Sequence, residues 1–343
     1  MADRREERQR AALICNPIKV REAASLRSLL QRVSRDNGWA PPLLLETTAA
    51  DPGQGATRDA LDKGVDVVLV AGGDGTVRAV SEAMRRSGVP LAIIPRGTGN
   101  LFARNLGIPL SGADIMVRAA LTGDVRPVDI GVATLTRREG ASEQHAFVVL
   151  AGMGLDAAMI ANTSPERKRQ IGWVAYVDGA ARSLPRAKPF RLAYQFAGRS
   201  LHSVKVQAIL FANCGALPAG IELVPDARID DGVLDVALIQ AAGPLGWLGV
   251  WRKVWWDNSV LRRSRVGRRV VERTRNQSIR YVTGQRIEAA SNEPLPVELD
   301  GDEFGNVARI RCEIDEGGLL VAVPRGHVLP KRPLAHTPTA ARS

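Results

Sequence analysis

The chain has few cysteines, no long apolar run and no repeat of fixed period. Cys15, Cys214 and Cys312 are its three cysteines, an odd number spread along the chain without a C-x-x-C pair, which argues against a disulfide framework and against a zinc site. Each is expected to be buried as a small apolar residue. No stretch approaches the ~18 apolar residues of a membrane-spanning helix. The charged opening Met-Ala-Asp-Arg-Arg-Glu-Glu-Arg-Gln-Arg has no apolar segment of useful length behind it, so no signal peptide is legible. The lysine-bearing phosphate loop of the G-x-x-x-x-G-K-[ST] type is also absent. No recognised nucleic-acid-binding motif accompanies the basic residues.

What is present suits a globular protein. A chain of 343 residues with 45% hydrophobic content is long enough for two domains with proper cores. Forty-seven basic residues against thirty-six acidic ones leave a net charge of +11, so the partner surface is expected to be anionic: nucleotide, nucleic acid or acidic lipid. The charge does not choose among them. The expected location is the cytoplasm, with peripheral contact to the inner face of a membrane left open.

From residue 11 to about 128 the pattern alternates strand and helix: Ala11 to Cys15 then Val20 to Val33, Pro42 to Glu46 then Gly55 to Lys63, Val67 to Ala71 then Thr76 to Arg86, Leu91 to Ile94 then Leu101 to Leu106. This predicts an α/β domain on a mostly parallel sheet. Beyond Asp129-Ile130-Gly131 short alternating strands take over, among them 191 to 196, 204 to 212, 233 to 239, 279 to 283 and 307 to 314, which predicts an antiparallel β-sandwich. Two helical inserts interrupt it, at about 165–183 and 244–263. The basic, aperiodic stretch 324–343 and the first ten residues read as disordered tails.

Two loops carry the chemistry. The apolar strand from Val67 runs into Gly72-Gly73-Asp74-Gly75-Thr76. Glycines without a Cβ let backbone N–H groups approach an anion, and the following segment opens a helix N-terminus. Asp74 puts a carboxylate where a phosphate-bound cation would be needed. The second loop, Pro95-Arg96-Gly97-Thr98-Gly99-Asn100, repeats the logic after the strand Leu91 to Ile94. On neighbouring parallel strands, both loops face the carboxyl edge, where open α/β sheets bind ligands.

With Asn16-Pro17 after the first strand and Leu299-Asp300-Gly301-Asp302 near the end, this set resembles the diacylglycerol kinase catalytic family, which includes soluble bacterial lipid kinases and the sphingosine and ceramide kinases. The resemblance covers roughly residues 11 to 324. It implies a nucleotide-binding α/β domain over 11–128, completed by strands 307–323, and a sandwich domain over 129–306 with the substrate and catalytic groups. It also implies ATP and Mg2+ as cofactors and transfer of phosphate to a lipid alcohol, with diacylglycerol as the leading acceptor. A sphingoid base, another lipid alcohol, a small alcohol, or a nucleotide-binding regulatory protein at the membrane surface are the alternatives. An anionic membrane surface is then the expected partner and nucleic acid is not; a homodimer is compatible with the sequence.

Carried over residue by residue, the resemblance assigns the triphosphate to Gly72, Gly73, Asp74, Gly75 and Thr76, with Thr98 beside it and Asn16 and Asn100 at the matching loop positions. A threonine ending the second strand completes the nucleotide site, Thr47 first and Thr48 as the other candidate. Asp300 is implied as acceptor of the substrate hydroxyl's proton, although Asp-Gly is also a strong hairpin turn. Asp231, with the backbone carbonyls of Arg228 and Val233, is implied as a metal site, and oxygen-only ligation suits magnesium; a solvated turn is the alternative. Asp129 is a candidate to join Asp74 in a water-mediated metal network, and Asp156 to line a substrate cleft, or each is a buried capping acid.

Three positions depart from the family pattern. Leu101 stands where an acid often follows the loop asparagine, Arg78 where an asparagine is common, and Asp302 where a glutamate is common. Arg78 is either a phosphate partner or a solvated helix charge. Val148 to Ala157 matches strand followed by G-x-G-x-x-A, a dinucleotide fingerprint, but it sits among antiparallel strands without a βαβ unit. Trp247, Trp251 and Trp255 recur every fourth residue ahead of Arg262, Arg263, Arg265, Arg268 and Arg269. Such a face either docks on an anionic membrane or packs on the sandwich.

Overall fold

The computed structural model describes residues 8–18, 20, 23–154, 189–215, 224, 227–240 and 279–330. The chain forms two compact units, one of residues up to Ile130 together with Glu316–Leu329, the other from Gly131 to Asp315. The predicted helical inserts, the tryptophan stretch and Asp156 lie outside the described residues.

The first unit is built from β1 (Ala11–Cys15), α1 (Ala23–Asp36), β2 (Leu43–Glu46), α2 (Gln54–Asp62), β3 (Val67–Gly72), α3 (Asp74–Met84), β4 (Leu91–Pro95), α4 (Leu101–Leu106), α5 (Ala113–Thr122) and the start of β5 (Asp124–Thr136). The strands lie in the order β4-β3-β1-β2, all parallel, with Leu69 opposite both Leu13 and Ala92. Every residue of β1, β3 and β4 is buried, as expected for parallel strands covered on both faces. Helix α1 turns Leu26, Leu30 and Val33 inward at helical spacing. The α/β alternation is therefore as the sequence predicts. Helix α5 has no counterpart in the sequence reading, although Met116, Val117, Ala119 and Ala120 form its buried face.

The second unit contains the rest of β5, then β6 (Ser142–Phe147), β7 (Leu150–Met153), β8 (Phe190–Phe196), β9 (His202–Val206), β10 (Ala208–Ala212), β11 (Leu234–Ile239), β12 (Ile279–Gly284), β13 (Arg286–Leu299) and most of β14 (Asp302–Val323). Pairing in the path β12-β11-β10-β7-β13-β14 is antiparallel, β9 pairs β8, and β8 pairs the first half of β13. Strand β13 changes neighbour from β8 at Ile287–Ser291 to β7 at Val297–Leu299, across a register shift after Ala290. Phe147, Tyr194, Phe211, Ile287, Leu299 and Ile310 are among the side chains of the sandwich core.

The span 204–212, read as one strand, is two. Its chain changes partners at Gln207, with β9 on β8 and β10 between β7 and β11. The return to the first unit falls at 316 rather than 307, because β14 is one unbroken strand whose final part pairs in parallel with β4 at Val321 and Leu91. The described inner ends of the two predicted tails, residues 8–10 and 324–330, make hydrogen bonds. Arg325 donates through Nε to Thr122 O, Gly326 N donates to Asp124 Oδ2, and His327 Nε2 lies 2.8 Å from Leu106 O. At the other end, Arg10 N donates to Asp66 Oδ2 and Gln9 O accepts from Ala40 N. Polarity made these segments look disordered, but each finds backbone partners at the rim of the sheet.

Candidate active site

In the first unit the two glycine loops are clasped together. The carboxylate of Asp74, in the first turn of α3, accepts from Leu101 N through Oδ1 at 2.7 Å and from Asn100 N through Oδ2 at 3.1 Å. It thereby caps α4 from a different helix. Asn100 closes its own loop: Oδ1 accepts from Gly97 N and Nδ2 donates to Gly97 O, both at 2.8 Å. Its left-handed backbone, φ 48°, is one that asparagine tolerates better than most residues. Gly97 is required for another reason. A Cβ there would lie 2.8 Å from Gly73 Cα, so the two loops approach backbone to backbone.

Leu101, the departure at the acid position, is buried with its N–H spent on Asp74. Burial pushes the Asp74 carboxyl above its ordinary value, and the N–H groups of Leu101 and Asn100 and the charge of Arg104 only partly offset this. Arg104 also closes the loop, donating to Gly99 O at 2.7 Å.

Asn16 joins this constellation from β1. Its Nδ2 donates to Thr76 Oγ1 at 3.3 Å and its Oδ1 accepts from Ile18 N. Thr76 is buried and Thr98 exposed. At the end of β2, Thr47 is buried while Thr48 is exposed and engaged in a turn, accepting from Asp51 N. Asp51 itself accepts from Gly53, Gly55 and Ala56 N–H at the start of α2. Asp129 is buried and accepts from Gly317 N at 2.8 Å. Arg78 is not a solvated charge: it is 5% exposed and pairs with Glu82 at 3.4 Å.

In the second unit Asp300 and Gly301 form a two-residue hairpin loop between β13 and β14, with φ of 50° and 87°, the signature of an Asp-Gly type I′ turn. The Asp300 carboxylate accepts from three consecutive N–H groups, Val148 at 2.7 Å and Val149 and Leu150 at 2.9 Å. Val148 and Val149 are the buried link between β6 and β7, where no sheet ladder is available. Their carbonyls are satisfied from the other side. Asn213 Nδ2 and Cys214 Sγ bond to Val148 O, and the N–H groups of both residues bond to Val149 O. Asp300 thus completes the hydrogen bonding of a buried link.

The predicted metal loop is a tight turn. Asp231 is exposed and accepts from Val233 N at 3.1 Å, while the Arg228 side chain bonds Asp230 at 3.0 Å. No cluster of three or more His, Cys, Asp or Glu suited to a metal ion occurs among the described residues.

Residues 10–133 match the profile of the diacylglycerol kinase catalytic domain, and residues 148–323 that of the YegS C-terminal NAD kinase beta sandwich-like domain. The chain belongs to the diacylglycerol kinase catalytic family. It is thereby a kinase, a phosphotransferase. A protein of Pseudomonas aeruginosa named "Probable lipid kinase YegS-like" is 31% identical over 319 residues, covering 90% of this chain and 88% of the relative. The protein named "Diacylglycerol kinase" of Bacillus subtilis is 26% identical, covering 87% and 91%. A crystal structure of a diacylglycerol kinase from Bacillus anthracis shares the fold, with TM-score 0.62 at 19% identity over 94% of this chain and all of that one.

Against the family's pattern, the structure brings together Asn16 with Thr76, Asp74 with Asn100, and Gly73 with Gly97, all in the first unit. Asp231 and Val233 meet in the second. Sequence reasoning missed Asn213 and Cys214, which follow an all-apolar strand as Asn16 does. It also missed Asp51, whose signal was an acid just ahead of a helix start.

Proposed function

We propose that this kinase uses ATP and transfers its γ-phosphate to the hydroxyl of a lipid alcohol, with diacylglycerol as acceptor and phosphatidic acid as product. The observation that carries the nucleotide half of this reading is the clasp of the two loops through Asp74 and Gly97. It holds the N-terminus of α3 at the carboxyl edge of β3, and the first N–H groups of a helix have no acceptor within it. The names of the relatives support the acceptor half. A net charge of +11 supports work at an anionic membrane surface.

The donor set fits a hard cation. In the first unit Asp74 and Asp129 offer carboxylate oxygens; separately, in the second unit, Asp231 offers a carboxylate and Arg228 and Val233 backbone carbonyls. The two oxygens of Asp74 already accept N–H groups, which suits contact through water more than direct ligation. Magnesium, when bound with nucleotide, supplies positive charge to the phosphate oxygens. The chain's own residues position the phosphates by backbone N–H donation from the glycine loops. They also receive the proton lost when the acceptor oxygen bonds to the γ-phosphorus and ADP departs.

For that proton the turn 299–302 has two carboxylates. The Asp300 carboxylate already accepts from three N–H groups, so a substrate hydroxyl there competes with those donors. Asp302 is half-buried and opens β14 across the turn.

Incubation of the purified protein with magnesium, γ-labelled ATP and lipid alcohols in anionic micelles tests the proposal. Label in phosphatidic acid is expected. Label in a phosphorylated sphingoid base would move the acceptor, and bound nucleotide with no lipid labelled would refute the lipid kinase reading.

A further inference from the structure

The side chain of Arg96 has no duty in the clasp. Its backbone N–H donates to Gly72 O at 2.9 Å, continuing the pairing of β4 with β3. Its side chain is half-buried, and the Nε atom is buried without any hydrogen-bond partner. A buried, unsatisfied guanidinium donor is costly, and charged donors more so than neutral ones. Such a group in a native fold calls for an explanation.

The nearby acids do not provide one. Asp74 is committed to Leu101 and Asn100, and Glu46 pairs with Arg27. No carboxylate among the described residues forms an ion pair with Arg96. The place of Arg96 follows from the sheet order. Strand β3 lies between β4, which Arg96 follows, and β1, which ends at Cys15. Burial pushes the Cys15 thiol up, with Glu46 acting the same way, while the charges of Arg27 and Arg96 pull it down. Arg96 therefore leaves β4 directly beside Gly72, at the end of β3 where the first glycine loop begins.

We infer that Arg96 is a ligand of the nucleotide's phosphate chain, its planar fork taking a phosphate oxygen pair while the glycine-loop N–H groups take others. This rests on the proposed nucleotide site in the first unit. It goes beyond the loop positions that the family resemblance assigns, which do not include Arg96. The other shared chemistry, a free inorganic phosphate or a lipid phosphate, is separated by the experiment.

Calorimetry on the full chain would compare ATP with inorganic tripolyphosphate for the parent, R96Q and R96K. Loss of a charge-assisted bond predicts a Kd increase of about 10- to 100-fold for both probes in R96Q, with R96K in between. The melting temperature without ligand should stay within a few degrees of the parent, because no protein hydrogen bond is removed. Equal ATP affinity in parent and R96Q would overturn the inference, as would weakened ATP binding with unchanged tripolyphosphate binding, which would place Arg96 at the base or ribose. Binding of inorganic orthophosphate or short-chain phosphatidic acid in preference to ATP would also overturn it. If the parent binds neither ATP nor tripolyphosphate, the nucleotide site itself fails, and the inference with it. Should R96Q not fold, phenylglyoxal modification of the parent decides: ATP should protect Arg96, and an unchanged yield of the Arg96 adduct at saturating ATP counts against it.

Discussion

Replacing Asp300 by asparagine separates a turn clasp from a proton acceptor, because asparagine keeps the shape and tolerates the left-handed backbone at φ 50°. The amide oxygen can still accept from Val149 and Leu150, as Oδ1 does now. The amide nitrogen then faces the Val148 N–H, which today donates to Oδ2 at 2.7 Å. That buried donor loses its acceptor, at about 1–3 kcal/mol, and two charge-assisted bonds become neutral ones at roughly half their strength. A loss of about 3 kcal/mol follows. For a unit of this size each kcal/mol moves the midpoint by about 2–4 °C, so Tm should fall by about 6–12 °C.

The assay is thermal unfolding followed by tryptophan-independent circular dichroism, with kcat measured well below each variant's own midpoint. A midpoint within about 2 °C of the parent would refute the clasp reasoning, since the buried Val148 N–H would then have lost its acceptor at no cost. Loss of a general base from a fully folded variant would cost about 10²- to 10⁴-fold in kcat. D302N measured alongside shows which carboxylate of the turn takes the proton.

Two further expectations concern the first unit. Gly97→Ala places a Cβ 2.8 Å from Gly73 Cα, so the loops must part. Stability should drop by about 1–3 kcal/mol, with weaker ATP binding by calorimetry; unchanged affinity would argue that loop closure is irrelevant to the nucleotide. Asp51→Ala removes the acceptor at the start of α2 and should cost about 1 kcal/mol at neutral pH. Burial works to raise the Asp51 carboxyl, but the N–H groups of Gly55, Ala56 and Gly53 and the charge of Arg58 hold it below its ordinary 3.8. The stabilisation is therefore complete above that value and lost as pH falls through the lower folded value. The gap in melting temperature between parent and variant should close only in that acid range; a gap independent of pH would contradict the hydrogen-bonding account.

The α/β half was legible because β1, β3 and β4 are short apolar runs that lead into Asn16, Gly72-Gly73 and Pro95-Arg96-Gly97, and such runs have few other readings. Helix α5 was not, since it begins after Gly112 without a polar cap and its alanines carry little periodic contrast. The pair β9 and β10 merged for a similar reason, as a single glutamine does not break a β pattern while a change of pairing partner leaves no local mark. At the site, residue types singled out the two loops that the structure clasps together, but not the bonds that each residue makes there. Asp74 reads as a metal ligand in one dimension, and its two N–H partners lie 26 and 27 residues away. The three N–H partners of Asp300 are some 150 residues distant. Local spacing contains no trace of either.

Those distant bonds bear on how the proposed phosphate cradle would work. If Asp74 and Asn100 presented their polar atoms to a ligand, the loops would combine one negative charge with the N–H groups meant for an anion, and the two would oppose each other. Instead Asp74 is turned onto the start of α4 and Asn100 onto Gly97. The acid's charge is spent inside the protein, and closing the loops costs the ligand nothing in ordering. What the loops then have left for a partner is the N–H row at the start of α3 and the unsatisfied guanidinium of Arg96, both of one electrical sign. On the proposed function, a site arranged this way would select for a phosphate chain before any cation arrives, with the carboxylate of its sequence motif holding that arrangement shut.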